Sequence, residues 1–333
     1  MNILLIRFSS LGDVVLQTAT IHWLKERFGE KLQIYFLTSK EFAPLLEGHS
    51  AIREVITYDR RSGESLSTLA RRLKKNYSID LLFDVHATTR SALLRLHLFS
   101  IPRLVIDKRR FERWLLQLPG LSKRWWSWSI FSLKPQVQRI PEDLQAVFHA
   151  PLLTTSPLTF TPALPAQTHP REYVVLAPVA SFNSKHWPVT NYVLLAQRIL
   201  QETNLDVVVV AGPADKHCEQ FNTIKNERLV NLQGKTKLLE SAAWLKGARV
   251  VVGNDSGMNH IAEAHGVKVI TLFGPTHEAF GFAPHLSGSK TISHDLWCRP
   301  CSATGKRDCF RSEKFCLTLT TPERVWGELK GML

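Results

Sequence analysis

Two segments of this 333-residue chain combine residue types suited to holding phosphate and moving protons. In Val251–Thr276, Asp255-Ser256-Gly257 sits between two β-branched runs, Val250–Val252 and Val267–Leu272, and a short helix is expected over Gly257–His265. Free N–H groups at such a helix start form a site for phosphate, and glycines at 253 and 257 let the backbone turn and approach a ligand. An ordinary Asp N-cap accounts for the same residues without a ligand. His260, inside the helix, is placed to donate to a phosphate or ribose, or to serve as a core histidine. The second segment opens the chain: a strand over Asn2–Phe8, the loop Ser9-Ser10-Leu11-Gly12-Asp13, and an amphipathic helix over Val14–Phe28. Here the loop carries a carboxylate at its tip. It holds only one glycine, so the G-x-G-x-x-G fingerprint is absent, which counts against a nicotinamide or flavin enzyme.

A third group is Cys298, Cys301, Cys309 and Cys316, spaced C-x2-C-x7-C-x6-C. Four clustered cysteines in a chain expected to be cytosolic raise a structural zinc site; free thiols and disulfides are the alternatives.

The elements that must position these residues alternate. Strands are expected at Asn2–Phe8, Leu32–Thr38, Glu54–Tyr58, Leu81–Val85 and Arg103–Ile106, and helices at Val14–Phe28, Glu41–Leu46, Ser65–Lys75 and Ser91–Phe99. A further helix is expected at Pro141–Leu153. The Pro- and Thr-rich stretch from 154 to 171 reads as a linker. Alternation then resumes with strands at Tyr173–Ala177, Val207–Ala211 and Leu229–Asn231, and helices at Thr190–Glu202, Asp215–Asn226, Leu238–Leu245 and Pro322–Leu329. Two α/β domains follow, residues 1–153 and 172–333. Both are doubly wound and Rossmann-like, facing a central cleft, because ligands of open parallel sheets bind beyond the strands' carboxyl ends.

Composition, 44% hydrophobic and 21% charged, is that of a soluble globular protein, and no apolar run approaches the ~20 residues needed to span a bilayer. No secretory signal is visible, so a cytoplasmic protein is expected. Net charge is +13; from Arg103 to Arg139 nine basic residues face two acidic ones, with Trp114, Trp125, Trp126 and Trp128 among them. This mixture suits an anionic lipid surface or a phosphorylated amphiphile; nucleic acid is the rival, and a solvated basic face the plain alternative.

Taken in order, the motifs resemble glycosyltransferase family 9, the ADP-heptose:lipopolysaccharide heptosyltransferases of GT-B fold. They are Ser10-Leu11-Gly12-Asp13, the segment from Asp84 to Ser91, Lys185-His186-Trp187-Pro188, Asp255-Ser256-Gly257-Met258-Asn259-His260, and Gly274-Pro275-Thr276. His86 and Ala87 stand where the family usually has Gln-Gly. The resemblance implies transfer of a heptose from ADP-heptose to the lipopolysaccharide inner core, inverting and metal-independent, with no cofactor and no obligate protein partner. It places the enzyme at the inner face of the inner membrane, on an anionic surface, and implies no nucleic-acid partner. Asp13 would be the general base and Lys185 would meet the diphosphate. Ser181, Asp215, Asp255, Ser256, Gly257 and His260 would complete the donor site, with Asp255 shaping its loop or meeting ribose. Ser10, Gly12, Arg60, Arg61, His86 and Arg90 would face an acidic, phosphorylated acceptor. Another nucleotide sugar, or a non-catalytic binder of anionic lipid or nucleic acid, stays open as an alternative.

Overall fold

The computed structural model describes residues 1–117, 163–166 and 169–333. They divide into two compact units, the first holding residues 1–109 and 163 and the second holding 110–117, 164–166 and 169–333.

The first unit is a parallel sheet of β1 (Asn2–Ile6), β2 (Gln33–Ser39), β3 (Ile52–Tyr58), β4 (Leu81–Asp84) and β5 (Arg103–Val105), in the order β3-β2-β1-β4-β5. The helices α1 (Leu11–Phe28), α2 (Leu66–Asn76) and α3 (Thr89–His97) connect it. Leu4, Ile6, Leu37, Ile56 and Leu82 of the strands share one core with Leu69, Leu73 and Leu94 of the helices. Strands covered on both faces need unbroken apolar runs, which is why β1 reads Ile-Leu-Leu-Ile rather than alternating. The strand order reverses between β1 and β4, which run parallel with Ile6 paired to Asp84. Loops leaving these two strands therefore diverge to opposite faces and leave an opening at the sheet's carboxyl edge.

The second unit repeats the plan with six parallel strands in the order β11-β10-β9-β6-β7-β8: β6 (Tyr173–Ala177), β7 (Asp206–Val209), β8 (Leu229–Asn231), β9 (Val250–Asn254), β10 (Val269–Leu272) and β11 (Lys290–Ile292). In chain order its helices are α4 (Arg110–Leu115), α5 (Val189–Glu202), α6 (Leu238–Lys246), α7 (Gly257–Ala264), α8 (Phe315–Thr318) and α9 (Pro322–Lys330). The switch here lies between β6 and β9, where Ala177 pairs with Gly253. Packing leaves no room for a side chain at Gly253: a Cβ there would lie 2.5 Å from Asn259 Oδ1 and 3.2 Å from the Ala177 carbonyl.

Several elements differ from the sequence expectation. The first helix begins at Leu11, so Asp13 lies inside its first turn. Lys40–Leu46 and Lys216–Thr223 are 3-10 helices rather than α-helices. Pro44 explains the first, since it cannot donate an α-helical hydrogen bond. The strand β11 and the helix α4 were not expected. The Pro141–Leu153 helix, Trp125, Trp126, Trp128 and the basic residues from 123 to 139 lie outside the described residues. Among the described residues no helix is long and apolar enough to cross a membrane.

Candidate functional site

In the first unit, the chemistry gathers where β1 and β4 end. Asp13 reaches back from the first turn of α1, its Oδ2 accepting from the Ser10 amide at 3.2 Å and the Ser10 hydroxyl at 2.7 Å. Its other oxygen pairs with Arg7 Nη2 at 2.6 Å. Arg7 also donates to the Val85 carbonyl at 2.7 Å, tying the end of β1 to the end of β4. Burial pushes the Asp13 carboxyl up, but the Arg7 charge and the Ser10 hydrogen bonds outweigh it, and the result is below the ordinary carboxylate value. Asp13 is thus an ionised acceptor held in one orientation. Gly12, beside it, is buried.

Next to this pair, His86 lies edge-on to Phe8, with ring centroids 5.6 Å apart. Its backbone N–H donates to Asp84, which also accepts from Ala87 and pairs with Arg95 at 3.1 Å. Burial first, then the Arg7 charge, push His86 down to about 3, so it is a neutral imidazole in the physiological range. Its Nδ1 is buried without a hydrogen-bond partner. The Arg90 guanidinium sits 5.8 Å from the Phe8 ring centroid. Arg90 also lines a cavity of about 750 Å³ together with Ser9, Lys40, Tyr58, Arg60 and Arg61. Four cations, Lys40, Arg60, Arg61 and Arg90, line this cavity together with Asp59 and Glu41, which pair with Lys40 and Arg61.

In the second unit the corresponding switch point holds Lys185 and Asp255, paired at 2.6 Å. Asp255 follows β9 and also accepts from the Thr276 hydroxyl at 2.7 Å. Lys185 ends a short 3-10 turn, Asn183–Lys185, held from both sides. Trp187 is 1% exposed, its amide donating to Asn254 and its indole N–H to the Thr320 carbonyl. This anchor is the physical reason for the Lys-His-Trp-Pro spacing: the buried indole fixes the loop two residues beyond the ammonium. Ser256 caps α7, and its hydroxyl is buried without a partner. Gly257 opens the helix. Unused amides there, with the helix dipole and Lys185, present positive potential at one place.

The remaining expected residues are placed differently. His260 is buried, 6% exposed, in α7. Asp215 accepts from the Gly212 amide at 2.9 Å and so closes its own turn after β7. Ser181 is exposed in the loop after β6. Arg113, counted from sequence with the basic acceptor face, clusters with the second unit: it donates to the Phe280 carbonyl and lies 5.6 Å from the Phe282 centroid.

Sequence reasoning assigned no site role to Arg7 or Arg299, and gave Thr276 only as part of the Gly274-Pro275-Thr276 motif. Arg7 had a readable signal, a cation at the carboxyl end of an otherwise apolar strand. Arg299, 7% exposed, had none; it donates to the Gly274 and Thr276 carbonyls and pairs with Glu278, fixing the loop that carries Thr276.

The four cysteines surround one cavity of about 20 Å³. Burial pushes Cys316 up to about 11 and raises Cys301. Among the described residues no three His, Cys, Asp or Glu side chains are already converged in a metal-holding arrangement.

Two doubly wound units, each with polar groups at its switch point, define a GT-B type glycosyltransferase, a class that solved structures share. The chain covers 99% of itself and 96% of a family 9 glycosyl transferase from Veillonella parvula, at a TM-score of 0.77 and 15% identity. It covers 100% of itself and of the E. coli heptosyltransferase WaaC solved with ADP-2-deoxy-2-fluoro heptose, at a TM-score of 0.69 and 18% identity. By sequence it is 25% identical to lipopolysaccharide heptosyltransferase 1 of Pseudomonas aeruginosa, over 100% of this chain and 98% of that protein. The model of glycosyltransferase family 9 (heptosyltransferase) matches residues 66–309, and the chain belongs to that family.

Proposed function

We propose that this glycosyltransferase moves a heptose from ADP-heptose to the inner core of lipopolysaccharide, inverting the anomeric centre without a metal ion. The observation that carries the reading is the pair of dissimilar switch points: an oriented carboxylate in one unit, a lysine beside a helix start in the other. The names of relatives, which include lipopolysaccharide heptosyltransferases and a protein solved with an ADP-heptose analogue, support the substrate class.

Asp13 takes the proton of the acceptor hydroxyl as that oxygen bonds to the anomeric carbon. The bond from that carbon to the diphosphate oxygen breaks, and its electron pair leaves with ADP. A carboxylate of lowered basicity suits a hydroxyl that turns acidic only as the new bond forms, so proton transfer comes late. Charge growing on the diphosphate is met by Lys185, the Ser256 and Gly257 amides and the α7 dipole. These groups supply the role a divalent cation would otherwise fill. Asp255 positions the Lys185 ammonium, and the cation-lined cavity with Lys40, Arg60, Arg61 and Arg90 receives acidic or phosphorylated acceptor groups.

The test is mass spectrometry of a purified core acceptor incubated with ADP-heptose, beside UDP- and GDP-sugars as competitors. A single added heptose from the ADP donor is expected, and Asp13→Asn should lower turnover by ~10²–10⁴-fold while sparing ADP affinity. Transfer from a different nucleotide sugar would replace the donor assignment, and turnover within a few-fold of wild type in Asp13→Asn would remove the base.

A further inference from the structure

The chain leaves β4 through a strained turn. Ala87 sits at φ +44°, in the left-handed region that L side chains rarely adopt. The turn persists because the buried Asp84 carboxylate accepts from the His86 amide at 2.9 Å and the Ala87 amide at 2.8 Å, while Arg95 pairs with it at 3.1 Å. Strain held in this way collects where a side chain has to be aimed. The side chain aimed here is His86, 7% exposed. It shares the Phe8 ring with Tyr58 and Arg90, both of which line the cation-lined cavity. Arg7 donates to the carbonyl of Val85, the residue before it, and pairs with Asp13. The imidazole is therefore joined to the cavity wall and to the Asp13 carboxylate through one neighbour each.

Packing does not explain an imidazole at this place. Among the described residues neither ring nitrogen has a hydrogen-bond partner, and only Nδ1 is fully buried, so Nε2 is the edge that a ligand reaches. A phenyl ring would fill the same space against Phe8 without burying an unpartnered polar atom, which costs stability. Burial first, then Arg7, Lys108 and Arg90, keep the ring uncharged against the pull of Asp13. An uncharged imidazole has no charge to offer a carboxylate or phosphate, and the cations of the cavity already serve those groups. It does present one donor and one acceptor nitrogen, and a hydroxyl, which both gives and takes a hydrogen bond, matches either one. We propose that His86 is a specificity residue whose open ring nitrogen hydrogen-bonds an uncharged hydroxyl of the acceptor sugar, beside the hydroxyl that Asp13 deprotonates. Asp13 activates one oxygen, His86 reads its neighbour, and the strained turn at Ala87 fixes the spacing between the two. Glutamine, usual in the family at this position, is also an uncharged donor and acceptor, but on a flexible stem; the imidazole ring is rigid, with its orientation set by Phe8.

This role rests on the first unit being the acceptor half, so binding is measured without donor as well as turnover with it. Full-length wild type, His86→Phe and His86→Gln are titrated with purified core acceptor, titrated separately with ADP, melted, and assayed with ADP-heptose. His86→Phe keeps the ring against Phe8 and removes both nitrogens. Its acceptor Kd and KM should rise together by about 3- to 10-fold, the worth of one neutral hydrogen bond, with ADP affinity at the wild-type value. Its melting temperature should equal or exceed that of wild type, because the unpartnered nitrogen is gone. His86→Gln should recover acceptor affinity to within about 2-fold of wild type. Unchanged acceptor affinity in His86→Phe overturns the proposal, and so does a lowered melting temperature with weaker binding of both acceptor and ADP, which marks a purely structural histidine. A glutamine variant as weak as the phenylalanine one overturns the hydrogen bond. Wild-type protein that binds no core acceptor overturns the acceptor half and this role with it, whereas acceptor binding without transfer from ADP-heptose overturns the donor assignment and leaves the His86 comparison standing. Should His86→Phe fail to fold, His86→Leu, smaller and equally without a nitrogen, carries the same expectation.

Discussion

Replacing Lys185 by Ala perturbs two things that can be measured apart. In the unliganded protein the ammonium pairs with Asp255 at 2.6 Å, and the two side chains are 13% and 9% exposed. Removing one partner of a buried pair costs ~3–5 kcal/mol, chiefly because the other charge is stranded. Slight exposure of both groups puts the expected loss at the lower end, about 3 kcal/mol, or a fall of ~6–12 °C in the melting of a domain this size. The ammonium has three donors, so it can keep Asp255 and still donate to a diphosphate. Losing one charge-assisted hydrogen bond of ~1.5–3 kcal/mol should weaken ADP binding about 10- to 150-fold. The double variant Lys185→Ala/Asp255→Asn separates the effects. An amide at 255 still accepts from Thr276 and carries no charge to strand, so most of the lost stability should return, while ADP affinity should not. Calorimetric melting and titration calorimetry with ADP, run on the wild type and the variants, complete the cycle. ADP affinity equal to wild type in Lys185→Ala would refute the assignment of the lysine to the diphosphate. A double variant no more stable than the single would refute the account of Asp255 as a stranded charge.

The remaining expectations concern the first unit. Asp13 titrates below the ordinary carboxylate value, so its ionised form is present above that lowered pKa and is lost only as pH falls through it; kcat/KM should therefore be flat through mildly acidic pH. Arg7→Met removes the main opposing charge, so the acid limb of the kcat/KM profile should move toward neutrality, and an unmoved limb would show that Asp13 is not the group titrating. Arg60→Ala and Arg61→Ala, both exposed on the cavity wall, should each raise KM for a phosphorylated acceptor by about 2- to 5-fold without changing ADP affinity; equal effects on both substrates would argue against a separate acceptor subsite. Phe111 and Trp114 are 66% and 53% exposed, stacked beside Arg110, and suit an anionic membrane surface. Vesicles containing anionic lipid should bind the protein in a salt-sensitive manner, and changing Lys108, Arg109 and Arg110 to Ser should reduce this binding; equal binding to neutral vesicles would exclude charge-driven docking.

What the chain determines by itself is whatever local pattern encodes. Unbroken apolar runs such as Val250–Val252 specify strands covered on both faces, and the alternation of such runs with amphipathic helices specifies parallel sheets. The loops Ser10–Asp13 and Asp255–Gly257 announce themselves because small residues and an acid between a strand and a helix have few other uses. Tertiary structure alone decides the pairings. Local pattern offers Arg7 as a cation just beyond β1 but does not say that it pairs with Asp13, nor that Asp255, a repulsive neighbour for phosphate when read alone, positions the lysine 70 residues before it. Nor does the spacing of the cysteines say that their loop supports that lysine through Ser184, Lys314 and the vacant Cβ position of Gly305. The reason is physical: an element's type follows from the periodicity of its own residues, whereas a site at a switch point is assembled from strand ends whose adjacency exists only once the sheet has formed.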